Sequence, residues 1–223
     1  MMFYMIKAVI FDMDGLLIDS EPLWRKAEVK VFNEFGVPVT LERCRETAGL
    51  RIDEVVKYWE SEYSFQDVSK EKIISGILEE VIGLIKSEGE AMGGVDKIIA
   101  FFESQKTPMA IVSSSSMRVI NAVLDKINVK EKMKIIHSAE NELFGKPHPG
   151  VYITTAQKLG VSPSECLAFE DSKNGVLSAK SAKMKCVAVP DPISFSDKQF
   201  GIADLVIKTL DDFNLDNFNS LNI

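Results

Sequence analysis

An unbroken apolar run, Lys7-Ala-Val-Ile-Phe11, opens the readable pattern and stops abruptly at Asp12-Met-Asp-Gly15. Continuous rather than alternating apolarity marks a strand covered on both faces, as in a parallel sheet. Runs of the same kind recur at 109–112, 134–136, 166–169, 186–189 and 204–207. Between them apolar residues fall at helical spacing. Met117, Ile120, Leu124 and Ile127 share one face, and Val176, Ala179 and Ala182 share a shorter one after Asn174-Gly175. Strand alternating with helix predicts right-handed βαβ units and an α/β fold built on a doubly wound parallel sheet.

The interval after the first strand breaks this rhythm. From 21 to 90 the pattern holds helix periodicity and no convincing strand. Leu23, Trp24, Ala27, Val31 and Phe35 form one face; Ile52, Val55, Val56 and Trp59 form a second; Ile73, Ile74, Ile77, Leu78, Val81, Ile82 and Ile85 form a third. The spacing predicts a helical cap at 19–92 spliced into a core made of 1–18 and 93–223. The polar, then Gly-rich stretch at 86–94 is the expected return linker.

Composition narrows the chemistry. Of 223 residues 46% are hydrophobic and 26% charged, which excludes wholesale disorder. Lys and Arg number 26 against 33 Asp and Glu, a net charge of −7, which argues against nucleic acid or an anionic membrane as partner. An anionic substrate must therefore be held by local cations. Cys44, Cys166 and Cys186 are widely spaced and lack a C-x-x-C pair, so neither a disulfide framework nor a structural zinc is expected. His137 and His148 are the only histidines, and no nucleophile elbow accompanies them. The apolar start is interrupted at Lys7, too short to span a bilayer and without the basic start of a signal peptide. The expectation is a cytoplasmic monomer.

Ligands of open α/β sheets sit beyond the carboxyl ends of the strands. Asp12 and Asp14 follow the first strand, Ser113 to Ser116 the second, Lys146-Pro147 the third, and Glu170-Asp171 the fourth. So many carboxylates on one rim need neutralisation, and an all-oxygen set suits a hard cation such as Mg²⁺. A carboxylate attacking a phosphate dianion meets the same repulsion, which the cation and Lys146 relieve. Residues two apart in an extended segment point the same way, so one aspartate could attack phosphorus while the other serves the leaving oxygen. Alone, each piece has a commoner explanation: D-x-D-G is usually a turn, and the serines suit a loop and a helix cap. The conjunction at four strand ends, in order, points to phosphoryl transfer.

Phe11-Asp-Met-Asp-Gly-Leu-Leu-Ile-Asp-Ser-Glu21 resembles the first motif of the haloacid dehalogenase superfamily. Ile111-Val-Ser113 resembles its second motif, Lys146-Pro147 its third, and Phe169-Glu-Asp-Ser172 its fourth. Within the superfamily the chain is most similar to the β-phosphoglucomutase-like branch, and there to its sugar- and hexitol-phosphate phosphatases, through Asp19-Ser-Glu-Pro-Leu-Trp24 and Gly49-Leu-Arg51. The resemblance implies a Rossmann-like core, an aspartyl-phosphate on Asp12, and Asp14 as general acid and base. Ser113, Ser114 and Lys146 would hold the phosphate. Mg²⁺ would be bound by the Asp12 carboxylate, the Asp14 carbonyl, Asp171 and, directly or through water, Glu170. Glu21, Trp24 and Arg51 are the candidate substrate contacts of the cap, although Trp24 fits an apolar helix face equally well.

Two departures favour a phosphatase of small phosphorylated metabolites, sugar or polyol phosphates, over the nearest rival, a phosphosugar mutase. The mutases carry a cap histidine where this chain has Trp24, and the dehalogenases lack the second aspartate, present here as Asp14. A signalling receiver would place adjacent acidic residues after the first strand and carry no helical insert. A binding protein without catalysis is disfavoured by the full set of Asp12, Asp14, Ser113, Lys146 and Asp171.

Overall fold

The computed structural model describes residues 5–47, 49–63, 65 and 69–222. Six strands form one parallel sheet: β1 (Ala8–Phe11), β2 (Met109–Ser113), β3 (Ile135–Ser138), β4 (Cys166–Glu170), β5 (Lys185–Ala188) and β6 (Leu205–Val206). Their order is β3-β2-β1-β4-β5-β6. The helices are α1 (Glu21–Glu34), α2 (Ile52–Tyr63), α3 (Lys70–Glu88), α4 (Val95–Ser104), α5 (Met117–Lys126), α6 (Gly150–Leu159), α7 (Lys173–Ser181) and α8 (Leu215–Leu221). No helix among the described residues is long and apolar enough to cross a membrane.

The predicted elements shift at their ends. The run at 134–136 starts at Ile135 and continues to Ser138, so His137 lies in the sheet opposite Val112. There its ring is held between Glu142 and Lys158, at 2.8 and 2.9 Å, which is a structural role. The run at 204–207 shrinks to two paired residues. At the expected linker, α3 continues through Lys86-Ser-Glu88 before Gly89 ends it, because nothing at 86–88 breaks a helix.

Although the strands read as continuous apolar runs, their two faces differ. Val9, Phe11, Ile111, Leu167 and Phe169 point to one side, and Ala8, Ile10, Ala110, Val112 and Ala168 to the other. Aromatic bulk fills the first layer. Phe11 stacks on Phe169 at 5.1 Å, and Phe102 of α4 meets both edge-on, with Phe213 alongside. Each buried ring contributes about 1.5–3 kcal/mol. The alanine-rich face lets α6 and α7 approach closely.

Helices α1, α2 and α3 lie between β1 and β2 in sequence and pack on one another. Phe32 meets Trp59 edge-on at 6.5 Å, and the Arg43 guanidinium covers Trp59 at 4.8 Å. Where the chain leaves β1 and where it returns, the two segments run side by side. Asp19 donates its N–H to the Glu90 carbonyl at 3.0 Å, and Met92 donates to the Leu17 carbonyl at 3.0 Å. The helices thereby hang over the carboxyl ends of the central strands.

Candidate active site

The strand order reverses between β1 and β4, and a crevice opens beyond their carboxyl ends. The Asp12 N–H donates to the Phe169 carbonyl at 2.9 Å, which extends the pairing by one residue and sets Asp12 beside Glu170. Gly15, at φ +74°, turns the chain away. A Cβ there would stand 2.2 Å from Asp171 Oδ2, so the aspartate needs that glycine.

Lys146 is the centre of charge. Its Nζ lies 2.5 Å from Asp12 Oδ1 and 2.5 Å from Glu170 Oε1, and all three side chains are buried. Burial alone would push the ammonium down, but the carboxylates of Asp12 and Glu170 outweigh it and hold Lys146 above its usual range. Burial raises Asp12 well above the carboxylate range. Lys146 opposes that rise and Glu170 adds to it. Burial raises Asp171 too, reinforced by the charges of Asp12 and Glu170. The Tyr152 hydroxyl donates to Glu170 Oε1 at 2.6 Å, and a Cβ at Gly175 would fall 1.8 Å from Glu170 Oε2. Glu170 is pinned by Lys146 and Tyr152, so it has no room to yield. Gly175→Ala is expected to cost about 1–3 kcal/mol, read as a lowered midpoint in thermal unfolding; an unchanged midpoint would show that α7 can shift.

Asp14 collects four donors. Ser20 Oγ and the Trp24 indole N–H reach Oδ1 at 2.6 and 3.0 Å, and Ser113 and Ser115 hydroxyls reach Oδ2 at 3.0 and 2.7 Å. Asp14 thus faces the same crevice as Asp12 but takes no part in the lysine pair. Ser113 Oγ also accepts the Ser115 N–H at 3.0 Å. The Ser114 hydroxyl is buried without a partner among the described residues and lines the cleft.

The cleft between sheet and helices encloses about 880 Å³. From α1 it is lined by Glu21, Trp24, Arg25 and Glu28. Burial raises Glu21, and the Asp14 charge adds to this while Arg25 opposes it; Arg25 Nη1 lies 3.6 Å from Glu21 Oε2. Trp24 reaches the floor of the site while also packing against the core. Arg51 does not line this cleft. Its guanidinium pairs with Asp53 at 2.9 Å and donates to the carbonyls of Ala139 and Glu142 at 3.2 and 3.0 Å, so its donors fasten the helical insert to the loop before Lys146. Ser20, Ser115 and Tyr152 join the site unforeseen as individual residues. Ser115 had a signal, its place in the serine run, whereas nothing local distinguishes Tyr152 from a core tyrosine.

Asp12, Glu170 and Asp171 each offer an oxygen, all within 4.8 Å of one another. Asp171 makes no side-chain hydrogen bond among the described residues, so its oxygens are uncommitted. One ammonium faces four carboxylates, counting Asp14. An all-oxygen set with this excess of negative charge fits a hard divalent cation.

Residues 9–189 match the family model described as haloacid dehalogenase-like hydrolase. Hexitol phosphatase B of Escherichia coli (strain K12) is 36% identical over 206 residues, covering 92% of this chain and 93% of that protein. A phosphorylated carbohydrates phosphatase of Thermotoga maritima is 30% identical over 177 residues, covering 79% and 82%. Among solved structures, β-phosphoglucomutase from Clostridium difficile superposes with a TM-score of 0.86 at 22% identity, covering 98% of this chain and 97% of that one. The last is a likeness of fold. With a carboxylate cluster and a buried lysine at the strand ends where the motifs predicted them, the chain belongs to the haloacid dehalogenase-like hydrolase family and is a phosphatase.

Proposed function

We propose that the chain is a Mg²⁺-dependent phosphatase of small phosphorylated carbohydrates, hexitol phosphates among them. It works through an aspartyl-phosphate on Asp12 beneath a cap formed by 19–92, as a monomer in the cytoplasm. The observation that carries this reading is the floor of the cleft. There Asp12 and Asp14 occupy separate hydrogen-bond environments, one paired with Lys146 and the other held by hydroxyls and an indole.

Asp12 is the nucleophile: its carboxylate oxygen forms the bond to phosphorus as the ester bond breaks. Asp14 gives its proton to the leaving alkoxide. It then takes one from the water that attacks the phosphoenzyme, releasing phosphate and the free Asp12 carboxylate. Lys146 and the hydroxyls of Ser113 and Ser114 hold the phosphoryl oxygens; Ser113 must first turn from Asp14. Asp12, the Asp14 carbonyl, Asp171 and Glu170, directly or through water, would hold Mg²⁺, which supplies the charge that lets a carboxylate approach a phosphate dianion. Trp24 and Glu21 line the substrate's path. Trp24, in the place of the mutase histidine, offers an N–H to Asp14 and no basic nitrogen to a sugar hydroxyl, which favours hydrolysis over transfer.

Purified protein is to be assayed for phosphate release from a panel of hexitol, hexose, polyol and nucleotide phosphates. Hydrolysis of carbohydrate phosphates without a bisphosphate activator, lost with a strong chelator and restored by Mg²⁺ but poorly by Ca²⁺, is the expected result. Full turnover in metal-free buffer would sink the metal site. Conversion of β-glucose 1-phosphate to glucose 6-phosphate faster than either is hydrolysed would make the enzyme a mutase.

A further inference from the structure

Glu28 is a side chain for which neither packing nor the chemistry above has a use. It is 6% exposed and lines the cleft from α1, and its Oε2 has no hydrogen-bond partner among the described residues. Glu21, Trp24, Arg25 and Glu28 share one helix face, whereas Leu23, Ala27 and Val31 are buried in the core. The Trp24 indole touches Asp14, so Glu28 lies one helical turn, about 6 Å, farther from the reacting groups. A buried carboxylate with one oxygen left without a partner is a liability that an apolar residue would remove. Burial holds Glu28 above its ordinary 4.5, at about 7; Glu21 adds to this, while Arg25 on the same helix and the Cys44 thiol packed beside it oppose it.

We propose that Glu28, with Glu21 and Arg25, forms a hydroxyl-binding subsite in the cap, selecting monophosphates whose carbon chain continues as a polyol beyond the phosphorylated carbon. The proposal rests on the phosphatase reading and adds the origin of its substrate preference. The orphan Oε2 is an acceptor that a substrate hydroxyl satisfies. Glu21 offers a second acceptor, and Arg25, 3.6 Å from it, is already shared. A second phosphate or a carboxylate on the substrate would face two carboxylates with one guanidinium between them, whereas neutral hydroxyl donors find partners. A site built to bind a hydroxyl rejects the analogue that lacks it.

The test compares glucitol 6-phosphate with p-nitrophenyl phosphate, which has no hydroxyl chain, in the wild type, Glu28→Gln and Glu28→Leu. The ratio of their kcat/KM values is expected to fall at least about tenfold in Glu28→Leu, chiefly through KM for the hexitol ester. Melting temperatures supply the second readout. As a carboxylate with a raised folded pKa, Glu28 contributes stability that is present below about pH 4.5 and lost as pH rises through about 7. Glu28→Gln should therefore melt higher than the wild type at pH 8, with the gain gone at pH 4. An unchanged ratio, an equal loss with both substrates, or a lower melting point at pH 8 overturns the subsite. If the wild type hydrolyses neither ester, the phosphatase reading fails separately, and calorimetric titration of glucitol 6-phosphate then decides the subsite alone: equal affinity in wild type and Glu28→Leu overturns it.

Discussion

Asp12→Asn should abolish turnover of every phosphate ester, by about 10⁴-fold or more, the scale on which enzymes lose activity with their nucleophile. The amide is nearly isosteric and Lys146 keeps Glu170 as a partner, so the fold should survive and the loss belongs to chemistry. Asp14→Asn separates the two aspartates. It leaves Asp12 able to attack but removes the proton carrier, which typically costs about 10²–10⁴-fold with a sugar phosphate whose alkoxide must be protonated. With p-nitrophenyl phosphate the leaving group needs little help, so the first step should suffer less. Hydrolysis of the phosphoenzyme still lacks its base. Asp14→Asn given this ester should accumulate a phosphate adduct on the Asp12 peptide, visible by mass spectrometry. An adduct on Ser113, Ser114 or a histidine would show that Asp12 is not the nucleophile. Equal slowing of both esters without an adduct would make Asp14 a positioning residue, consistent with its four donors but not with proton transfer.

Removing Lys146 should produce the largest loss of stability. Lys146→Met keeps the length of the stem and deletes the charge that sits 2.5 Å from both Asp12 and Glu170. Breaking a buried pair by removing one partner costs about 3–5 kcal/mol, because the remaining charge is left without compensation. In a chain of this size that corresponds to roughly 6–20 °C in melting temperature. Added Mg²⁺ should recover more of the midpoint in the variant than in the wild type, since it would occupy the same carboxylates. Catalysis should stay low even when stability is restored, because the phosphate has lost a cation. A variant that melts like the wild type without metal would mean that the carboxylates are neutral in the fold and that Lys146 is not their counter-ion.

Several features of the site were legible because they are local. Asp12 and Asp14 end an apolar run and precede a glycine, and the serines, Lys146, and Glu170 with Asp171 follow later runs in order. The chemistry of the rim could therefore be read before its geometry. Arg51 shows where such reading stops. Its sequence neighbourhood resembles a substrate loop, but its donors are spent on carbonyls 88 and 91 positions away. Glu28 shows the converse: on paper it is a charged residue on an amphipathic helix, and only burial makes it conspicuous.

The amino-acid sequence by itself determined the parallel α/β core, the helical segment between its first two strands, and the strand ends at which charge gathers. Strand burial and helix faces are written as short periodicities, and turns are written as residue types, so each is readable within a few positions. Tertiary structure decided which atoms meet. It set Lys146 between Asp12 and Glu170, 134 and 24 positions away, gave Tyr152 to Glu170, and turned Trp24 toward Asp14. It also left one Glu28 oxygen without a partner. These pairings depend on rotamers and on helices packed across distant parts of the chain, where a shift of an ångström makes or breaks a hydrogen bond, and no periodicity carries that information.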